Sequence, residues 1–176
     1  MKTFVYIGTS LDGFIARKNG VIDWLIKFEG QEVNESFTEF MNKIDAIVMG
    51  RGTFETVVTF PFWPYDKKVF VLSTTLTQIP DRLKDKAVIL SMNPKEVLGF
   101  LANQGFFSIY IDGGKVIQSF LEEDYIDELI ITRVPVLIGS GIPLFGYLSH
   151  DILFSHVRTK VYSNGLVQSN YERKRG

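Results

Sequence analysis

The sequence contains no cysteine. Disulfides, thiolate nucleophiles and sulfur-ligated metals are therefore excluded together, and a reducing compartment, the cytoplasm, is the expected location. Histidine is nearly missing: His150 and His156 have no acidic cluster of ligand spacing near them, so no metal site is expected. Charge of one sign is not in excess, since 19 Lys and Arg face 20 Asp and Glu for a net charge of -1. Such a chain has no overall field to hold nucleic acid or an anionic membrane. Arg173, Lys174 and Arg175 read as a solvated end. Long hydrophobic runs are also lacking. Met1 to Ile7 is stopped by Gly8, Thr9 and Ser10, and Val134 to Ile138 is broken by Pro135. Both fall far short of the roughly 20 residues of a membrane helix, so neither a spanning nor a targeting segment is expected. The G-x-S-x-G, G-x-x-x-x-G-K-S/T and G-x-G-x-x-G motifs are absent. Hydrolase chemistry, nucleoside-triphosphate hydrolysis and the Rossmann fingerprint are disfavoured accordingly.

What is present is an ordinary globular composition, 45% hydrophobic and 22% charged over 176 residues, which suits one domain spanning residues 1–176. Short apolar runs at Phe4 to Ile7, Ala46 to Met49, Val69 to Leu72, Ala87 to Leu90 and Ser108 to Ile111 read as strands buried on both faces. Helical signals alternate with them. Asn93 as N-cap, Pro94 at the first position, Glu96 three residues on and Gly105 as stop delimit one helix. Glu32 to Lys43 carries Val33, Phe37, Phe40 and Met41 on one stripe, with Glu35 and Glu39 elsewhere. Lys115 to Glu122 turns Val116, Ile117 and Phe120 inward. From Asp127 the pattern changes to strands at Glu128 to Val134, Ile152 to Tyr162 and Leu166 to Arg173, the last two joined by a Ser163-Asn164-Gly165 hairpin. The expected fold is α/β: three layers, a mixed, mostly parallel sheet with helices on both faces and a C-terminal antiparallel hairpin.

Three strand ends carry glycine or hydroxyl residues, and ligands of α/β sheets sit beyond the carboxyl ends of parallel strands. Met49-Gly50-Arg51-Gly52-Thr53 leads into a short helix, Thr53 to Val57, whose free N–H groups, with Thr53 as a cap and Arg51 beside them, suit a phosphate. Ile111-Asp112-Gly113-Gly114-Lys115 again empties a strand into a helix N-terminus and bares backbone for a pyrophosphate. Leu72-Ser73-Thr74-Thr75 offers hydroxyls at a third end. Together with Arg51 and Lys115, these corners point to an extended, phosphate-bearing cofactor. Phe60-Pro61-Phe62-Trp63-Pro64-Tyr65 is a rigid aromatic loop that rims a pocket or covers a subunit interface.

Ser10-Leu11-Asp12-Gly13-Phe14-Ile15-Ala16, then Met-Gly-Arg-x-Thr-x-Glu at Met49 to Glu55, Val71-Leu72-Ser73 and the later glycine pair occur in this order over nearly the whole chain. In this the chain resembles the dihydrofolate reductase superfamily. It is most similar to the stand-alone branch related to the reductase domain of the bifunctional riboflavin-biosynthesis deaminase/reductase. The resemblance implies NADPH rather than NADH, with Arg51, Ser73 and Thr74 at the adenosine 2'-phosphate. It implies Gly50, Gly52, Thr53, Gly113, Gly114, Lys115 and Val116 along the pyrophosphate and its flanks, with Leu72 also among the cofactor-binding residues. Ile7, Ile15 and Ala16 would wall the nicotinamide, beside a mobile loop from Ser10 to Trp24.

For substrate the resemblance implies a heterocycle, pteridine-like or ribosylaminopyrimidine-like, of the 5-amino-6-(5-phosphoribosylamino)uracil reductase type. Authentic dihydrofolate reductase and a non-catalytic nucleotide-binding protein are the alternatives. Trp24, Asn34, Phe37 and Lys67 are the positions expected to meet substrate. Asn34 falls where the superfamily's helix carboxylate is counted, with Glu35 adjacent, and Lys67 stands near its folate-binding arginine. Phe14 replaces the riboflavin branch's lysine, and Asp112-Gly113-Gly114 echoes its Glu-Gly-Gly. Hydride delivery needs alignment and one proton source, for which Glu35, Asp12 and Asp112 are the candidates. A homodimer is expected from the family and the apolar late strands.

Overall fold

The computed structural model describes residues 1–175. Its centre is an eight-stranded sheet in the order β5-β4-β3-β6-β1-β7-β10-β9. β1 (Lys2–Thr9), β3 (Ala46–Gly50), β4 (Lys68–Leu72), β5 (Ala87–Leu90), β6 (Ser108–Asp112) and β7 (Glu128–Arg133) are parallel, whereas β9 (Phe154–Val161) and β10 (Val167–Arg173) close the sheet antiparallel. The five expected early strands and three expected late ones are all present. A separate ribbon pairs β2 (Phe14–Ala16) with β8 (Ile142–Pro143); nothing in the local pattern announces it.

Helices cover both faces. α4 (Pro94–Asn103) and α5 (Gly114–Glu122) press Val97, Leu101, Ile117 and Phe120 onto Val5, Val48, Ile109 and Ile111. On the opposite face α2 (Gln31–Met41) and α3 (Arg51–Val58) bring Phe40, Met41 and Phe54 against Phe4, Ile47, Met49 and Tyr110. α1 (Asp23–Ile26) belongs to a smaller cluster with Val134, Tyr162 and Leu166. α4 forms where its signals place it. The Asn93 side chain accepts from the Glu96 amide at 3.0 Å, the Glu96 carboxylate accepts from the Asn93 amide at 2.9 Å, and Gly105 follows at φ +83°. These bonds satisfy end groups that a helix leaves unpaired.

Two local expectations change. α3 starts at Arg51, so Gly50 is its N-cap and Thr53 makes no cap bond. The hairpin is tightened at one residue: Gly165 has φ +87° and donates to the Tyr162 carbonyl at 3.0 Å, while Asn164 keeps a negative φ. This is a type I turn followed by a left-handed glycine. The Asn164 amide is used instead to donate to the Phe28 carbonyl at 2.7 Å. No helix among the described residues is long and apolar enough to cross a membrane.

Candidate functional site

β4, β3, β6 and β1 are consecutive parallel neighbours, so the three corners read from the sequence open on one edge of the sheet. The register sets Gly50 beside Leu72 and Met49 beside Asp112. The corners then meet one another. Gly113 sits at φ +89°, and a Cβ there would stand 2.4 Å from the Thr53 hydroxyl and 3.7 Å from the Gly50 amide. A Cβ on Gly114 would meet Ile15 Cδ1 at 3.0 Å and the Pro143 carbonyl at 3.1 Å, and one on Gly50 would meet Val116 at 3.1 Å. Glycine is thus required where the N-termini of α3 and α5 converge, and their first-turn N–H groups lack intrahelical acceptors. Ile7 and Ile15 are partly buried against the cluster that holds Val116, and Ala16 is buried, which gives the cradle an apolar wall.

At the β4 end the Ser73 hydroxyl accepts from the Thr75 and Leu76 amides at 3.1 and 2.8 Å. The Arg51 guanidinium donates to the Thr75 hydroxyl at 2.9 Å and pairs with Glu55 at 3.3 Å. Thr75, rather than Thr74, is therefore the hydroxyl residue that Arg51 holds. Thr75 escaped selection because neighbouring threonines are equivalent until the turn is formed. Lys115 is exposed on the first turn of α5.

The three acid candidates separate. Asp112 follows Tyr110 by two residues on β6, so both project to the face that α2 and α3 cover. Desolvation pushes its carboxyl up to about 6, against the bond it accepts from the Gly113 amide at 2.8 Å and the influence of the Tyr110 hydroxyl. Tyr110 itself donates to the Tyr6 carbonyl at 2.8 Å. Tyr65 and Tyr110 are both raised by burial first and by the nearby Asp112 charge second, so they stay neutral.

Asp12 does not present a proton. Its carboxylate is exposed and held below the usual range chiefly by the Ser10 hydroxyl, then by the Gly139 and Ile138 amides. Glu35 is corrected too: it faces solvent and accepts from the Gln31 side-chain amide at 2.8 Å. The inward side of α2 is Val33, Ser36, Phe37, Phe40 and Met41, which carries no carboxyl.

The substrate candidates scatter. Phe37 stands edge-on to Tyr6 of β1 with centroids 5.4 Å apart. Asn34 and Glu35 line an open groove of about 750 Å³ on the outer side of α2. Lys67 precedes β4 and lies at the amino ends of the strands with Asp66 at 3.7 Å, the opposite end of the sheet from the corners. Trp24 is only 2% exposed, packed on Val134, Tyr162 and Leu166, and its indole N–H is buried without a partner. Its neighbour Leu25, not Trp24, packs on Gly8 of β1. The aromatic loop covers this face: Trp63 contacts Phe54 and Tyr65 at centroid distances of 6.0 and 5.4 Å, leaving its N–H unpaired, while Phe62 is 71% exposed. A buried polar network escaped the sequence altogether. The Gln168 amide donates to the Tyr6 hydroxyl at 2.9 Å and the Thr132 hydroxyl at 3.0 Å, joining β10, β1 and β7.

Known proteins share this sequence pattern and this fold. Residues 2–168 match the sequence model described as the RibD C-terminal domain. The chain is 44% identical to a Shewanella sp. PV-4 protein with a presumed role in riboflavin biosynthesis. That crystal structure superposes with a TM-score of 0.93, covering 99% of this chain and 100% of the other. YwjB of Bacillus subtilis strain 168, itself uncharacterized, is 39% identical over 98% of both chains. The Enterococcus faecalis dihydrofolate reductase, solved with NADP(H) and RAB-propyl, shares the fold at 18% identity. Its TM-score is 0.70, covering 99% of this chain and 97% of that one.

Proposed function

The chain belongs to the RibD C-terminal domain family, and from that premise we propose that it is an NADPH-dependent reductase acting on a pteridine-like or ribosylaminopyrimidine-like heterocycle. The observation that carries the reading is the convergence of Gly50, Thr53, Gly113 and Gly114 at two helix N-termini on one sheet edge. The close packing at these glycines brings the N-termini of α3 and α5 together, and first-turn N–H groups without intrahelical acceptors suit a pyrophosphate. Arg51, held by Thr75 and Glu55, supplies the cation for a further phosphate. When bound, the coenzyme supplies the hydride.

The protein's own residues do the rest. Ile7, Ile15 and Ala16 form an apolar wall that keeps water from the reacting edge. Asp112, whose carboxyl desolvation pushes up to about 6, is the group that would give a proton to a substrate ring nitrogen and recover it from solvent. The neutral Tyr65 and Tyr110 beside it keep that carboxyl poorly solvated. The same reading places the protein in the cytoplasm as a dimer. Its contact would run along the exposed edge strand β9, where Val157 and Val161 are 52% and 70% exposed. Sedimentation giving a monomer at micromolar concentration would remove the dimer.

Coenzyme binding is measured by NADPH fluorescence titration, with NADH as comparison, followed by a panel of dihydropterins, flavins and aminopyrimidine ribosides. Saturation by NADPH below about 1 mM, weakened in Arg51→Ala much more for NADPH than for NADH, is expected. No NADPH binding in that range overturns the reading.

A further inference from the structure

β1 and β6 pair only as far as Phe4 and Tyr110. Beyond that point β6 runs on to Asp112 and β1 to Thr9 without a shared ladder, and a side chain bridges the gap: the Tyr110 hydroxyl donates to the Tyr6 carbonyl at 2.8 Å. Tyr110 is 5% exposed and stands edge-on to Phe40 of α2 with ring centroids 5.2 Å apart, so close packing leaves its ring no room to swing away. Tyr6 is held as well. Its ring tilts onto Phe40 at 4.8 Å, and its hydroxyl accepts from the Gln168 amide at 2.9 Å and donates to Ser36 at 3.2 Å.

The Tyr110 hydroxyl has a second acceptor within bonding reach, the carboxyl of Asp112 two residues on along the same face of β6. A phenol carries one hydrogen and serves one acceptor at a time. The proton of Asp112 decides which, because a hydrogen bond to an ionised carboxylate is about twice as strong as one to a neutral carbonyl, and a protonated carboxyl has no such advantage. The ionisable groups around the pair are Tyr65, from the loop before β4, and Tyr6, from β1, both kept neutral by burial. α2 turns Phe37 and Phe40 to this face while its exposed Glu39 acts on Tyr6, and α3 turns Phe54 while its Arg51 pairs with Glu55. We propose that Tyr110 is the positioning residue of the proton donor: its hydroxyl rests on the Tyr6 carbonyl while Asp112 holds its proton and turns to the Asp112 carboxylate as that proton leaves. This rests on Asp112 being the proton source. In the transfer the O–H bond of Asp112 breaks, an N–H bond forms on the substrate ring, and the electron pair left on the carboxylate is met by the Tyr110 hydroxyl. A proton regained from solvent sends the hydroxyl back to Tyr6. Tyr110 stays neutral throughout, so it donates a bond and never the proton itself.

The test follows the Asp112 Cγ and Tyr110 Cζ carbon resonances from pH 4 to pH 8, in wild type, Tyr110→Phe and Tyr65→Phe. In wild type the two resonances are expected to move with one common midpoint. Tyr110→Phe is expected to raise the Asp112 midpoint by about one pH unit, because the ionised form loses a donor. It should also lower kcat about tenfold on whichever dihydropterin, flavin or aminopyrimidine riboside is reduced, with KM for NADPH unchanged. Tyr65→Phe removes a nearby hydroxyl that makes no bond to the carboxylate and is expected to move the midpoint less. An Asp112 midpoint that stays in place in a folded Tyr110→Phe, or moves equally in Tyr65→Phe, overturns the role of Tyr110 and leaves the acid assignment standing. Should Tyr110→Phe fail to fold, separate midpoints for the two resonances in wild type overturn that role without it. Wild type that reduces no member of the panel overturns the reductase reading, and the part of Tyr110 in the reaction with it.

Discussion

Replacing Asp112 by Asn tests the chemistry and the energetics of the site at once. In the unfolded chain this carboxyl titrates at its ordinary 3.8, and in the folded protein at about 6. Between these values the folded state binds more protons than the unfolded state, so stability must fall as pH rises through the window and level off above it. The difference corresponds to about 3 kcal/mol, the cost of ionising a carboxyl desolvated beside Tyr65 and Tyr110. Asparagine carries no such penalty and its side-chain oxygen can still accept from the Gly113 amide. Urea unfolding of both proteins from pH 4 to pH 8 isolates the effect, because every other titrating group cancels in the difference. The variant is expected to match wild type near pH 4 and to exceed it by up to about 3 kcal/mol at pH 7, or about 2–4 °C in Tm per kcal/mol. Turnover should fall by about 100-fold or more while NADPH affinity holds. A stability difference that is flat with pH, or one that grows toward acid, refutes the argument that Asp112 is a desolvated acid.

Gly113→Ala forces an L side chain to φ +89°, a strain of about 1–3 kcal/mol, and adds a clash with the Thr53 hydroxyl. Thermal melting should show the loss, and Thr53→Ala in the same background should recover the clash but not the strain. Glu35→Ala, on the solvent side of α2, is expected to change stability by less than about 0.5 kcal/mol and to leave turnover intact; a loss of activity would return Glu35 to the site. Asn93→Ala removes the capping box of α4 and should cost about 1 kcal/mol in urea unfolding, without affecting coenzyme binding.

Much of the architecture is written in local pattern. The alternation of apolar runs with amphipathic stretches reports strands and helices because burial recurs with the period of each element. The Asn93 to Gly105 segment carries both ends of its helix within a dozen residues. The glycine corners were legible for the same reason: a positive φ or a close backbone approach demands glycine wherever it occurs. Even the outward position of Glu35 followed from its place off the stripe made by Val33, Phe37 and Phe40.

Counting along the chain failed where depth and direction matter. Lys67 was placed by alignment with a remote pattern, but the strand it precedes begins at the far end of the sheet. Trp24 looked like part of a substrate loop and instead fills a core with Tyr162 and Leu166, residues distant in sequence. Which carboxyl is acidic was likewise undecidable from residue types, since the proton affinity of Asp112 is set by desolvation among Tyr65 and Tyr110, while that of Asp12 is set by amides at Ile138 and Gly139. The sequence alone thus determined the elements and the glycine-opened corners, because those depend on neighbours a few positions away. Only the tertiary structure set the depth and the partners of each carboxyl, because a carboxyl's proton affinity depends on what the fold brings against it from elsewhere in the chain.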